Sequence, residues 1–199
     1  ADIAVMERTL KPEEKEWSGT VVGWEGIAVM VNASNRVTDV TTKQITDLFA
    51  GKARTWDEMG GLESKISVIH REEGKGVRPY LEQQLNLVGK LVNGKGVAEP
   101  DKEAIRIVSG NLNAVSYVNL STGLGNVNVG VPIRLLSINK VDPELSTVSS
   151  GAYPLRRPLV LVTKTPPPPV AKAFIDFMLD KEGQKTVLEE DFVPLLVTK

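Results

Sequence analysis

One stretch restricts the fold more than any other: Ser67-Val68-Ile69-His70-Arg71-Glu72-Glu73-Gly74-Lys75-Gly76-Val77-Arg78. Ile66, Val68 and Ile69 make a short apolar run of the kind that forms a buried strand. Val77, Leu81, Leu85 and Val88 then recur at helical spacing. Between them lies a polar loop punctuated by two glycines. A strand that passes through a glycine loop into a helix is the unit of an α/β fold. The same stretch suits an anion. N–H groups at a helix start are unpaired and lie at the positive end of the helix dipole. Gly74 and Gly76 let the backbone approach a ligand closely. Arg71, Lys75 and Arg78 add positive charge. The plainer alternative is a glycine-rich turn with solvated charges. The loop is neither the dinucleotide fingerprint nor the P-loop pattern.

The rest of the chain repeats the alternation. Residues 3–6 read as a strand, with Glu7 and Arg8 at its C-terminal end, where ligands gather in α/β sheets. Residues 26–31 read as a central strand. Residues 41–51 read as a helix with a threonine cap, Gln44 placed for a capping box and Gly51 at its stop. Trp56 lies in a turn over the core. Residues 93–96 break the helix that follows the opening loop. Pro100-Asp101 starts another, with Ala104, Ile105 and Val108 inward. Residues 114–118, 131–138 and 157–163 read as extended, and residues 111–113 and 121–128 as polar turns. Pro166 to Pro169 form a stiff segment. A helix with Val170, Phe174, Phe177 and Met178 as its apolar face follows it. Asp180 caps a last helix, and Phe192 to Leu195 closes the chain.

Composition removes several functions. The 199 residues carry 24 Lys and Arg against 25 Asp and Glu, a net charge of −1, so no global field draws the chain to nucleic acid or an anionic membrane. The lack of cysteine excludes disulfides and thiolate chemistry. His70 is the only histidine. It reads as a packed strand residue rather than a base. Trp17, Trp24 and Trp56 read as packing residues, with Trp24 near a cleft as the alternative. Neither paired carboxylates nor a metal cluster emerges, so no cofactor and no catalysis are expected. No apolar run spans a bilayer. The first residues read as a strand rather than a signal peptide.

In order along the chain, residues 27–32, 42–51, 55–61, 68–78, 114–118, 153–163, 171–184 and 192–195 resemble the phosphate-binding proteins of phosphate ABC transporters. That likeness implies a type II periplasmic-binding-protein fold, with two α/β lobes, a two-strand hinge and a cleft between. It implies a first lobe from residues 1–32 plus 157–199 and a second from 33–156. The family's usual opening strand-helix-strand-helix has no counterpart here, which implies a truncated first lobe with an uncovered edge. A homo-oligomer or swapped partner would cover that edge. The implied ligand is phosphate or a similar oxyanion, and the implied partner an ABC permease, in the periplasm or outside the cell. The implied ligand groups are Glu7, Arg8, Arg71, Gly74, Lys75, Gly76 and Val77. Two positions depart from the family, because Lys75 and Val77 stand where serine and threonine are usual. Arg71 is open to two readings, an oxyanion clamp or a salt bridge to Glu72, Glu73 or Glu7. The alternative function is an interaction or regulatory domain that has lost phosphate.

Overall fold

The computed structural model describes residues 2–92, 95–97 and 101–195. Its organising element is β2 (Trp17–Asn32), a strand of 16 residues. From Val22 on, nearly every residue of β2 is buried. An apolar run without alternation is what a strand covered on both faces requires. β2 has different neighbours along its length. Residues 17–26 pair antiparallel with β9 (Arg156–Lys164), and residues 27–31 pair antiparallel with β6 (Ala114–Asn119). A shorter strand, β7 (Ile133–Leu135), joins the far end of β2.

The sheet continues on both sides. β1 (Ala4–Met6) lines β9 antiparallel, and β4 (Ser67–Arg71) lies parallel to β6 with β5 (Lys95–Val97) beyond it. The order is β1-β9-β2-β6-β4-β5. β3 (Asp39–Val40) and β8 (Ser137–Ile138) form a separate parallel pair. One half is therefore antiparallel around β9 and the other mixed, with β6 antiparallel to β2 and parallel to β4, and β2 runs through both.

Several expected helices form as the sequence reads. In α1 (Thr42–Phe49), the Thr41 hydroxyl accepts from the Gln44 N–H at 3.1 Å and the Gln44 side chain accepts from the Thr41 N–H at 2.8 Å. α3 (Asp101–Ser109) buries Ala104, Ile105 and Val108. α7 (Lys181–Glu189) is capped by Asp180, which accepts from the Glu182 and Gly183 N–H groups. The buried Trp56 donates its indole N–H to the Asn113 carbonyl at 3.1 Å.

Other expectations fail for identifiable reasons. Residues 121–128, read as a turn, belong to α4 (Leu120–Asn128). The Asn119 side chain caps it by accepting from the Ser121 N–H. Gly123 is needed there, since a Cβ would stand 2.9 Å from Val118. α5 (Leu145–Ser150) was not legible in the sequence at all. α2 (Arg78–Gln84) ends before Val88, which is exposed, because the chain turns away at Asn86 with φ +55°. Residues 95–97 form a strand, while Asn93, Gly94 and Pro100 lie outside the described residues. Trp17 is 44% exposed rather than packed.

The apolar face of α6 (Pro169–Leu179) is also different from expectation. The helix buries Ala171 and Ile175 and leaves Val170, Phe174 and Phe177 exposed. It lies against β2 and α7, so only that stripe is covered. The core beneath it is small: Val22, Leu161 and Ile175, with Ile3, Leu159 and Met178 at its margin. The other core is far larger and takes in α1, α2, α3 and β6.

His70 sits in that larger core, 3% exposed, with its ring 5.9 Å from Phe49 and 6.0 Å from Tyr117. Burial first, and the positive Arg78 second, push its pKa down from 6.5 to about 4. The unfolded chain therefore binds the proton that the folded chain refuses. The stability this confers is fully present above pH 6.5 and is lost as pH falls toward 4. Urea unfolding is expected to give a stability roughly 2–3 kcal/mol lower at pH 4.5 than at pH 7.5 from this group. His70→Gln should flatten that part of the slope, and an unchanged slope would show that His70 is not held neutral.

Candidate functional site

β4 delivers the chain to the loop at Arg71, and α2 takes it away at Arg78. The loop folds back on itself: the Lys75 N–H donates to the Glu72 carbonyl at 3.1 Å, and the Arg78 N–H to the Lys75 carbonyl at 3.3 Å. Gly74 and Gly76 have φ +73° and +55°, a region that side chains resist. Left-handed glycines in a turn are the backbone form from which anion-binding nests are built, although the Lys75 N–H is already spent on Glu72. Lys75 is exposed, as are Glu72 and Glu73. Val77 is 5% exposed and packs into the core, so only its backbone remains for a ligand.

Arg71 is held from several directions. Its guanidinium pairs with Asp101 at the start of α3, and the two side chains are 11% and 20% exposed. The sequence reading offered Glu72, Glu73 or Glu7 as the carboxylate; Asp101, 30 residues along the chain, is the partner shown. Gly76 lies against the same guanidinium, since a Cβ there would stand 2.8 Å from Arg71 Nη1. The Arg71 N–H donates to the Tyr117 hydroxyl at 3.4 Å. Arg78 supports the turn, donating to the Arg71 carbonyl at 2.6 Å and to Glu82 at 2.7 Å.

The two candidates outside the loop behave differently. Arg8 turns toward its own segment and grips Glu14 through two bonds of 2.8 and 2.7 Å. The Arg8 hydrogen bond holds the Glu14 carboxyl down at about 2. Glu7 instead bonds Arg157, which also donates to Glu25. Arg157 in turn lies 5.3 Å from the ring centroid of Tyr80 on α2. The structure thus gathers Arg71, Gly74, Lys75, Gly76 and Val77 on one loop and joins Glu7 to Arg157 of β9, while Arg8 is engaged elsewhere. Sequence reading missed Asp101, Arg157, Glu25 and Tyr80. Glu25 had a signal, as an acidic residue inside an otherwise apolar strand. Trp24 is half-buried beneath Arg156, whose guanidinium is 3.8 Å from the ring centroid. Among the described residues no group of three His, Asp or Glu side chains is placed to hold a metal.

The glycines make different demands. Gly74→Ala meets nothing within 4 Å and is strained by φ alone, whereas Gly76→Ala also meets Arg71. Both should lose about 1–2 kcal/mol from the left-handed backbone. Gly76→Ala should lose more and shift the Arg71 side-chain signals by NMR. Equal losses with unchanged Arg71 signals would refute the close packing.

Comparison with known proteins agrees with this architecture. A family model described as a PBP superfamily domain matches residues 1–182. The chain is similar to the phosphate-binding protein PstS of Borreliella burgdorferi, at 25% identity over 96% of this chain and 71% of the relative. It is 26% identical to PstS of Bacillus subtilis, over 85% of this chain and 55% of the relative. The chain therefore spans between about half and seven-tenths of these relatives' lengths. The structure superposes on an ABC-type phosphate transport receptor from Vibrio cholerae with a TM-score of 0.86, at 24% identity, covering 97% of this chain and 80% of the other. With the family model matched from residue 1 to residue 182, the chain belongs to the PBP superfamily, and its α/β architecture is that of a two-lobe type II periplasmic-binding-protein fold.

Proposed function

We propose that this chain is a substrate-binding protein of the phosphate ABC-transporter type, taking phosphate or a related oxyanion between lobes formed by residues 1–32 plus 157–199 and residues 33–156. The observation that carries the reading is the loop after β4, where left-handed Gly74 and Gly76 frame the backbone beside Arg71. The relatives named as phosphate-binding proteins support it. Arg71 supplies a guanidinium fork suited to an oxyanion. The amides of Gly74, Gly76 and Val77 supply neutral donors, and Lys75 a mobile positive charge. Glu7 supplies an acceptor. A carboxylate can accept a hydrogen bond from an oxyanion that still carries a proton and repels one that carries none. That contrast favours phosphate over sulfate. Arg8 joins the site only by leaving Glu14. The partner is an ABC permease and the setting the periplasm or the cell exterior; among the described residues no helix is long and apolar enough to cross a membrane.

A second reading has specific support. Arg71 is already paired with Asp101, Val77 offers no hydroxyl, and Glu72 and Glu73 flank the loop. These features suit an interaction or regulatory domain that has lost its oxyanion. The edge strand β1 with exposed Val5, and the exposed Val170, Phe174 and Phe177 of α6, support a homo-oligomer or swapped partner.

Isothermal titration separates the readings. Phosphate is expected to saturate the protein, arsenate to follow it, and sulfate to give no heat at millimolar concentration. Arg71→Gln should weaken phosphate by at least about tenfold, in line with the loss of a charge-assisted bond. No heat from any of the three anions would reject the first reading and leave the second. Light scattering should show an assembly larger than one chain, and a strict monomer would reject the oligomer.

A further inference from the structure

One guanidinium joins β2, the segment after β1 and α2. Arg157, near the start of β9, lies directly across the ladder from Glu25 of β2. Its Nε donates to Glu25, and its Nη1 donates to Glu7, which follows β1. Glu25 is fixed further by the Asn119 amide, which donates to it at 3.0 Å. The Arg157 guanidinium also lies 5.3 Å from the Tyr80 ring centroid, within cation–π range. The Tyr80 hydroxyl donates to the Arg156 carbonyl. Tyr80 is the third residue of α2, the helix that the candidate loop enters.

The two carboxylates are not equivalent. Arg157 and Glu25 are 13% and 10% exposed at the side chain, so each needs the other to offset lost hydration. Glu7 is 55% exposed and has water available in place of Arg157. An exposed ion pair contributes little stability. Two carboxylates against one guanidinium also leave a surplus negative charge on this cluster. The Glu7 contact is thus weak as a stabiliser but specific in geometry, because it ties the segment after β1 to a side chain that also packs on α2.

We propose that Arg157 is a positioning residue of the oxyanion site: anchored by Glu25, it holds both Glu7 and Tyr80, and so ties the Glu7 carboxylate to α2, the helix that the Arg71 loop enters. This rests on the oxyanion reading above and extends it. Selectivity between protonated and unprotonated oxyanions then depends on Arg157, a residue that does not itself carry the proton acceptor. Lysine at 157 keeps the charge but loses the fork that serves Glu25 and Glu7 together.

Two measurements on the full chain test this. The sequence has no cysteine, so spin labels at Lys15→Cys and Gln83→Cys report a single distance, from the segment after β1 to α2. In ligand-free protein, Arg157→Gln should broaden and lengthen that distance, and Arg157→Lys should do so less. Where Arg157→Gln fails to fold, Tyr80→Leu removes the α2 contact and leaves the buried ion pair intact, with the same broadening expected. Titration with phosphate and then sulfate is expected to show the phosphate preference falling at least tenfold in Arg157→Gln, with part restored by lysine. A distance distribution that matches the unmodified sequence in every variant overturns the proposal. So does a preference that stays within twofold. An unmodified chain that binds neither anion rejects the oxyanion reading, and the distance measurement then decides the positioning role alone.

Discussion

The structure depends on β2 being buried along most of its length while serving both halves of one sheet. Ile27, Ala28, Val29, Met30 and Val31 have no measurable exposure. Each of the larger of these side chains contributes roughly 1.5–3 kcal/mol on burial, so the strand is a major source of cohesion. Its first ten residues pair with β9 and the rest with β6 and β7. Neither half can shift far along β2 without losing a ladder. The register irregularity between Val21 and Gly23, with Gly23 packed under Val187, sits on the β9 side of this divide.

That arrangement creates an electrostatic demand where the halves meet. Glu25 is 7% exposed in a strand that is otherwise apolar nearby. An unpaired carboxylate there would be costly to bury. Arg157, its neighbour across the ladder, removes the difficulty, and Asn119 from β6 adds a third hydrogen-bonding group. The ladder that joins the halves thus brings together β2, β6 and β9 side chains beside the helix of the candidate loop. On that loop, Arg71 is similarly constrained, by Asp101 of α3, by close-packed Gly76 and by the Tyr117 hydroxyl beneath its amide. Under the proposed oxyanion reading, an anion there would meet a guanidinium that Asp101 already neutralises, and its affinity would depend on how readily Asp101 shares it.

The chain read legibly where local pattern and tertiary outcome coincided. Apart from Ile66, the apolar runs read at residues 26–31, 66–69, 114–118 and 157–163 fall in strands, since an apolar run has few other uses in an α/β chain. Thr41 and Asp180 marked helix starts, because a short polar side chain beside unpaired amides is a local matter. Legibility failed where a neighbour overrode composition. Glycine-rich residues 120–128 form a helix because β6 and β7 approach so closely that Gly123 is needed. α6 shows Val170, Phe174 and Phe177 to solvent because only the Ala171 and Ile175 stripe meets β2.

The sequence by itself determined the α/β class, the strand-loop-helix unit around Arg71 and the glycines that allow its backbone to turn. These follow from residue type and spacing, which act over a few positions. Only the tertiary structure decided which carboxylate Arg71 faces, that Arg8 is taken by Glu14, and that Glu25, Arg157 and Tyr80 converge where β9 pairs with β2. Those pairings join residues up to 132 positions apart in the chain. No local pattern encodes such a contact, because it exists only once β9 has found its register on β2.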